Sequence, residues 1–237
     1  MNTEFGLAHV WAQGDMVTRS VAVLLLLMSL ASWTVILIKT LDLLRLRKVA
    51  RQAEAFWLSP DLPAGLATLG EDPASPFRQL VEAGREATAH HQGTQSALRD
   101  TLDISDWVTR SLRHAIDEFT TQLQSGMAVL ASVGSTAPFL GLFGTVWGIY
   151  HALLSIGSAG QATIDQVAGP VGESLIMTAL GLAVAIPAVL GYNTLVRGNK
   201  GVLHQLNRFA HDLHAYFVTG ARVGSPATSS LMSVNAA

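Results

Sequence analysis

A carboxylate, two hydroxyls and an imidazole lie in or beside long apolar runs: Glu173, Thr145, Thr178 and His151. A carboxyl group removed from water has its pKa raised, which suits Glu173 to exchanging protons near neutral pH. A threonine hydroxyl both donates and accepts a hydrogen bond, so Thr145 and Thr178 can pass a proton along a chain of waters. Each residue also has a plainer role. Gly169-Pro170 reads as a helix start, which would put Glu173 in a first turn, where the helix dipole favours a carboxylate. Glu173 and Thr178 are five residues apart, about 140° around an ideal helix, and need not share a face. His151 reads as an interface residue at the outer end of a span rather than a relay.

Other chemistry finds little support. His204, His211 and His214 crowd one side of a tail helix without carboxylate or cysteine at ligand spacing, so no metal site is expected. Cysteine is absent, which excludes disulfides, thiolate metal sites and thiol nucleophiles. With no Walker loop, no Ser-His-Asp ordering and no paired-carboxylate signature, the chain reads as a non-enzyme without cofactors. No nucleic-acid partner is expected.

The elements that must position these residues are membrane spans. The chain is 49% hydrophobic and 14% charged, with a mean hydropathy of +0.36, too apolar for an ordinary soluble domain. Val21 to Ile38 is free of charge, and Lys39, Arg45, Arg47, Lys48 and Arg51 follow it, a stop-transfer pattern rather than a cleaved signal peptide. Phe119 to Ile164 carries no acidic residue, Lys or Arg, and holds the second span between Met127 and Ile156; Ser174 to Val196 holds the third. Lys39 to Gly126 contains ten Lys and Arg, the tail from Arg197 contains four, and the segment joining spans two and three contains none. Positive-inside then places the N-terminus and that joining segment outside. The expected fold is all-α, with an outer segment 1–19, spans at 20–39, 127–156 and 170–196, a cytoplasmic helical region 40–126, an outer loop 157–169 and a cytoplasmic tail 197–237.

Inside, Leu43, Leu44, Leu46, Val49, Ala53 and Phe56 read as a basic helix leaving the membrane and ending near Ser59-Pro60. A loop-rich stretch follows, and helix is expected again from Phe77. Val108, Leu112, Ile116, Phe119 and Leu123 form a stripe running toward span two without a breaker, so one long helix is expected there. The stripe Val202, Leu206, Phe209, Leu213 and Phe217 of the tail is expected to pack beside it.

In span two, Gly134, Pro138, Gly141, Thr145, Gly148, Ala152 and Ser155 recur at alternating spacings of four and three, which makes one helix face of small residues. Ser174, Thr178, Gly181, Ala185 and Ala188 make a matching face in span three, and Gly144 with Gly148 forms a GxxxG pair. Such faces let membrane helices approach closely, or they line a narrow aqueous lumen. Leucine at Gly144 or Gly148 is expected to force helices apart and disrupt assembly. Pro138 and Pro187 each remove an amide donor within a span; Gly134, four residues before Pro138, relieves the steric part of that cost.

The stretch Gly134-Ser-Thr-Ala-Pro-Phe-Leu-Gly-Leu-Phe-Gly-Thr-Val-Trp-Gly-Ile149, then Gly169-Pro-Val-Gly-Glu-Ser-Leu-Ile-Met-Thr-Ala-Leu-Gly-Leu-Ala-Val-Ala-Ile-Pro-Ala188 and Tyr192-Asn193, closely resembles the ExbB/TolQ family, distantly related to the flagellar MotA proteins. The resemblance is strong over spans two and three, and length and layout agree across nearly the whole chain. It implies a Gram-negative inner-membrane motor subunit in a membrane-lipid setting: a ring-forming homo-oligomer, a pentamer, around the single helices of an ExbD-type dimer, coupling proton flow to TonB and so to iron-siderophore and vitamin uptake. The outer side is then the periplasm. The resemblance also implies that Thr145, Thr178 and Glu173 face the lumen. This chain departs from the usual Gly-Ile-Ala-Glu-Ala-Leu pattern with Gly172-Glu173-Ser174-Leu175 after Pro-Val, and Tyr150-His151 follows Trp-Gly-Ile. A TolQ-type subunit of the Tol-Pal system shares nearly all these motifs; the extension before span one favours the ExbB branch. Rivals of another class are a permease subunit, which lacks the inverted repeats and ligand-recognising polar residues expected of it, and a passive scaffold in which both seams only pack.

Overall fold

The computed structural model describes residues 15–70, 72–93, 103–159 and 164–220 of the chain. The described elements are helices: α1 (Met16–Phe56), α2 (Leu62–Thr68), α3 (Pro76–Gly93), α4 (Ile104–Gln124), α5 (Met127–Ala159) and α6 (Ile164–Thr219). Three of the stretches among them are long and apolar enough to cross a membrane. The chain divides into two units, Met1–Asp42 with Gln124–Arg197, and Leu43–Leu123 with Gly198–Ala237.

The first unit is a bundle of three helical segments. Val21 and Leu25 of α1, Val133 and Ala137 of α5, and Met177, Ala185 and Ala188 of α6 form its core. α1 runs antiparallel to α5 and parallel to α6. Trp147 hydrogen-bonds Asp15 at one end of the pair, Gly126 meets Val35 at the other, and Gly191 of α6 meets Ile36 of α1. The twenty residues from Asp15 to Val35 span about 30 Å of helix, the thickness of a bilayer core. Large side chains such as Leu27, Leu37, Phe139, Leu142, Leu182 and Leu190 are exposed on the bundle, whereas the small Ser32, Ala137 and Ala188 are buried. A soluble bundle would bury the large residues; this one is built for lipid, where close backbone packing rather than the hydrophobic effect holds helices together.

The second unit has an ordinary hydrophobic core. Both expected stripes supply it: Val108, Leu112, Phe119 and Leu123 of α4 and Val202, Leu206, Phe209 and Leu213 of α6 are buried together with Phe77, Leu80 and Val81 of α3. Phe209 makes edge contacts with Phe56 and with Phe77, each at 5.3 Å between ring centroids. Asp61 caps α2 by accepting from Ala64 N–H at 2.8 Å. His214 pairs with Ser105 at 3.1 Å.

Two expectations about element boundaries are corrected. The single long helix is two, because α4 ends at Gln124 and α5 begins at Met127. Gly126 adopts φ +79°, a left-handed conformation open to glycine at little cost, and the Asn199 amide donates to the Leu123 carbonyl left open at the end of α4. The outer loop 157–169 is also largely helix: α5 continues to Ala159 and α6 begins at Ile164, so Gly169-Pro170 is not a helix start. Gly169 has no Cβ to clash with the following proline, so it can hold helical geometry before Pro170.

Candidate functional site

The small faces of α5 and α6 meet each other within one chain. Their closest approach is Gly141 against Gly181: a Cβ built on Gly141 would lie 2.7 Å from the Met177 carbonyl and 3.0 Å from Gly181 Cα, and one on Gly181 would lie 2.6 Å from the Ala137 carbonyl. Gly144 faces the Met177 side chain, Gly148 faces Ser174, and Gly134 faces Val189. Ala185 is buried in the same interface, and Pro138 lies inside α5. The faces expected at Gly144 and Gly148 therefore close on α6 of the same chain, and a leucine at either position would first push α5 away from α6 inside a single subunit. Any loss of assembly would follow from that.

This contact encloses a pair of hydroxyls. Thr145 is buried at 6% exposure, and its Oγ1 is hydrogen-bonded to Thr178 Oγ1 across the interface. Thr145 Oγ1 also lies 3.1 Å from the Gly141 carbonyl of its own helix and 3.1 Å from the Ser174 carbonyl of α6. Carbonyls only accept, so when the Thr145 proton goes to one of them, the bond to Thr178 is made by Thr178 donating. In this arrangement the hydroxyls form a short donor chain that ends on backbone. Passing a proton onward requires the Thr145 hydroxyl to turn away from the carbonyls.

Glu173 lies within α6, in its third turn rather than its first, so the helix-dipole account of this carboxylate loses its basis. Its side chain lies outside the described residues, as does that of Ser155. Ser174, one residue on, is buried.

A third group was not expected as a cluster. The indole of Trp147 donates to Asp15 Oδ2 at 2.5 Å, and the other oxygen of Asp15 caps α1 by accepting from Thr18 N–H at 2.8 Å. The His151 ring stacks on Trp147 at 4.6 Å, with Nε2 4.0 Å from Asp15 Oδ2. Partial burial opposes ionisation of Asp15, but the hydrogen bonds from Thr18 and Trp147 and the nearby His151 outweigh it, and its pKa is held below the usual carboxylate value. The signal legible in sequence was an acid three residues before Thr18 at the start of an apolar run, which marks a cap; nothing in it pointed to Trp147. Among the described residues no group of His, Asp and Glu could hold a metal ion.

Residues 76–208 match the MotA/TolQ/ExbB proton channel family. The chain is 48% identical to the biopolymer transport protein ExbB of Xanthomonas campestris pv. campestris over 86% of this chain and 82% of that protein. It is 41% identical to ExbB of Neisseria meningitidis over 86% of this chain and 94% of that protein, and 33% identical to the Tol-Pal system protein TolQ of Pseudomonas aeruginosa over 86% of this chain and 89% of that protein. A three-span helical bundle with hydroxyls enclosed between glycine-rich helices, matched over most of its length at such identity, belongs to the MotA/TolQ/ExbB proton channel family.

Proposed function

We propose that this chain is the ExbB-type subunit of an inner-membrane proton-driven motor, and that with an ExbD-type dimer it converts the proton motive force into work delivered through TonB to outer-membrane transport. The higher identity to ExbB proteins than to TolQ supports this branch over a Tol-Pal role. The observation that carries the reading is the Thr145–Thr178 hydroxyl pair, Thr145 buried and Thr178 half-buried, in a seam of small residues, within a chain of a proton channel family. Packing alone would be served as well by alanine, which holds no polar group to satisfy.

In this reading Thr145, Thr178 and Glu173 border the proton path, and Gly134, Pro138, Gly141, Gly144, Gly148, Ser174, Gly181 and Ala185 form the seam that fixes them. One acid and two hydroxyls do not cross a membrane about 30 Å thick, so a carboxylate of the partner helix supplies the rest, inside a pentameric ring of this chain. Each proton moving down about 100 mV releases roughly 2.3 kcal/mol, available to turn the ring relative to the helices it surrounds. The N-terminus and the segment joining α5 to α6 face the periplasm, and the second unit faces the cytoplasm, since the basic residues flank that side.

The test is purification of the intact complex from its native membrane. Recovery of an ExbD-type protein, with proton flux on reconstitution, supports the reading; a TolR-type partner moves the chain to the Tol-Pal branch, and a complex that conducts no protons sinks both. Topology has its own test. Reporters fused after Gly160 should behave as periplasmic and those after Gly93 or Gly220 as cytoplasmic, and the reverse pattern would overturn the orientation.

A further inference from the structure

Thr145 and Trp147 are two residues apart on α5, so they point roughly 200° apart around the helix. Thr145 docks on Ser174 and Thr178 of α6; Trp147 docks on the first residue before α1. α5 is thereby held from opposite sides at the level of the hydroxyl pair. Gly148, the next residue, has no side chain and rests on Ser174, so at this level Thr145 is the residue through which α5 hydrogen-bonds α6. Asp15 is suited to the restraint: its backbone is fixed by the start of α1, where its carbonyl accepts from Arg19 N–H at 3.0 Å. One carboxylate oxygen closes the cap and the other takes the indole, and the tilted His151 ring lies against that indole at 4.6 Å.

We propose that Asp15 is a positioning residue for the proton path: by holding the Trp147 indole it sets the height of α5 at which Thr145 meets Thr178. This inference rests on the reading of Thr145 as belonging to the path. Charge-assisted hydrogen bonds are among the stronger ones, and this one crosses between two spans rather than joining neighbours on one helix, so its loss frees one span relative to another.

The experiment separates the cap from the latch in the reconstituted complex. Asp15→Ser keeps an oxygen for Thr18 N–H but is too short to reach the indole; Trp147→Phe keeps the ring and removes the donor. Each is expected to lower proton flux by about ten- to a hundredfold, up to the scale on which a misplacement of about 1 Å acts, and the double variant is expected to be no worse than either single one. The vibrational band that reports hydrogen bonding of the Trp147 N–H, taken as the difference spectrum against Trp147→Phe, should shift to its unbonded position in Asp15→Ser. Wild-type flux in Asp15→Ser, losses that multiply in the double variant, or an unshifted band overturns the proposal. Thr145→Ala serves as the reference. Lost flux there with normal flux in Asp15→Ser defeats this inference alone, whereas normal flux in Thr145→Ala defeats the path reading and this inference with it.

Discussion

Adding a single methyl group at Gly141 or at Gly181 is expected to destabilise the subunit more than any other small substitution in the seam. A Cβ at either position would fall within 3.0 Å of backbone atoms of the facing helix, and backbone cannot swing aside as the tip of a side chain can. Overpacking of this kind costs about 1–3 kcal/mol where side chains yield; here the two helices must separate along their whole contact, losing many small dispersion gains together. The expected cost is about 3 kcal/mol or more, a large share of the stability of a typical domain. Gly144→Ala should be far milder, because its nearest neighbours belong to the Met177 side chain. At Gly201 nothing lies within 4 Å, so Gly201→Ala should hold or slightly raise stability through helix propensity. Thermal unfolding of the purified variants in detergent ranks them. If Gly141→Ala melts with the unaltered protein, α5 and α6 are not closely packed at this level.

The seam's residues were readable because their spacing of four and three needs only the helical period. Their pairing was not readable. That Gly141 meets Gly181, and that Thr145 therefore meets Thr178, depends on the register between two helices, which small residues at every turn leave nearly degenerate. The break at Gly126 was present as a glycine beside Ser125, but the stripe through Leu123 carries the helical period up to it, and periodicity cannot distinguish a helix that ends from one that bends. Pro170 points in the wrong direction for the opposite reason. A proline favours a helix start because it has no N–H to donate there, but it can also lie inside a helix, and Gly169 before it has no Cβ to be pushed out of helical geometry. Asp15 was legible as a charge before a span, while its contact with Trp147, 132 residues away in sequence, is a tertiary fact that no local pattern encodes.

Thr145→Val tests whether the hydroxyl pair carries protons or only fills space. Valine matches threonine in shape and deletes the oxygen, and the deletion leaves little unsatisfied: the Gly141 and Ser174 carbonyls already accept helical N–H bonds, so the Thr178 hydroxyl alone loses a partner. Assembly and melting temperature should thus stay close to those of the unaltered complex, while proton flux and energy-coupled uptake fall by roughly a hundredfold or more, the scale at which one positioned proton-transfer group contributes. Thr145→Ser, which restores the oxygen without the methyl, should recover most of the flux. Glu173→Gln completes the comparison, because it keeps shape and hydrogen bonding but cannot titrate. With Thr145→Val impaired and Glu173→Gln normal, the path runs through the hydroxyls to an acid on the partner helix, and Glu173 is a packing residue of α6. With both impaired at intact assembly, Glu173 exchanges the proton and the threonines orient it. Normal flux in Thr145→Val would remove the hydroxyl pair from the path and return the seam to simple packing.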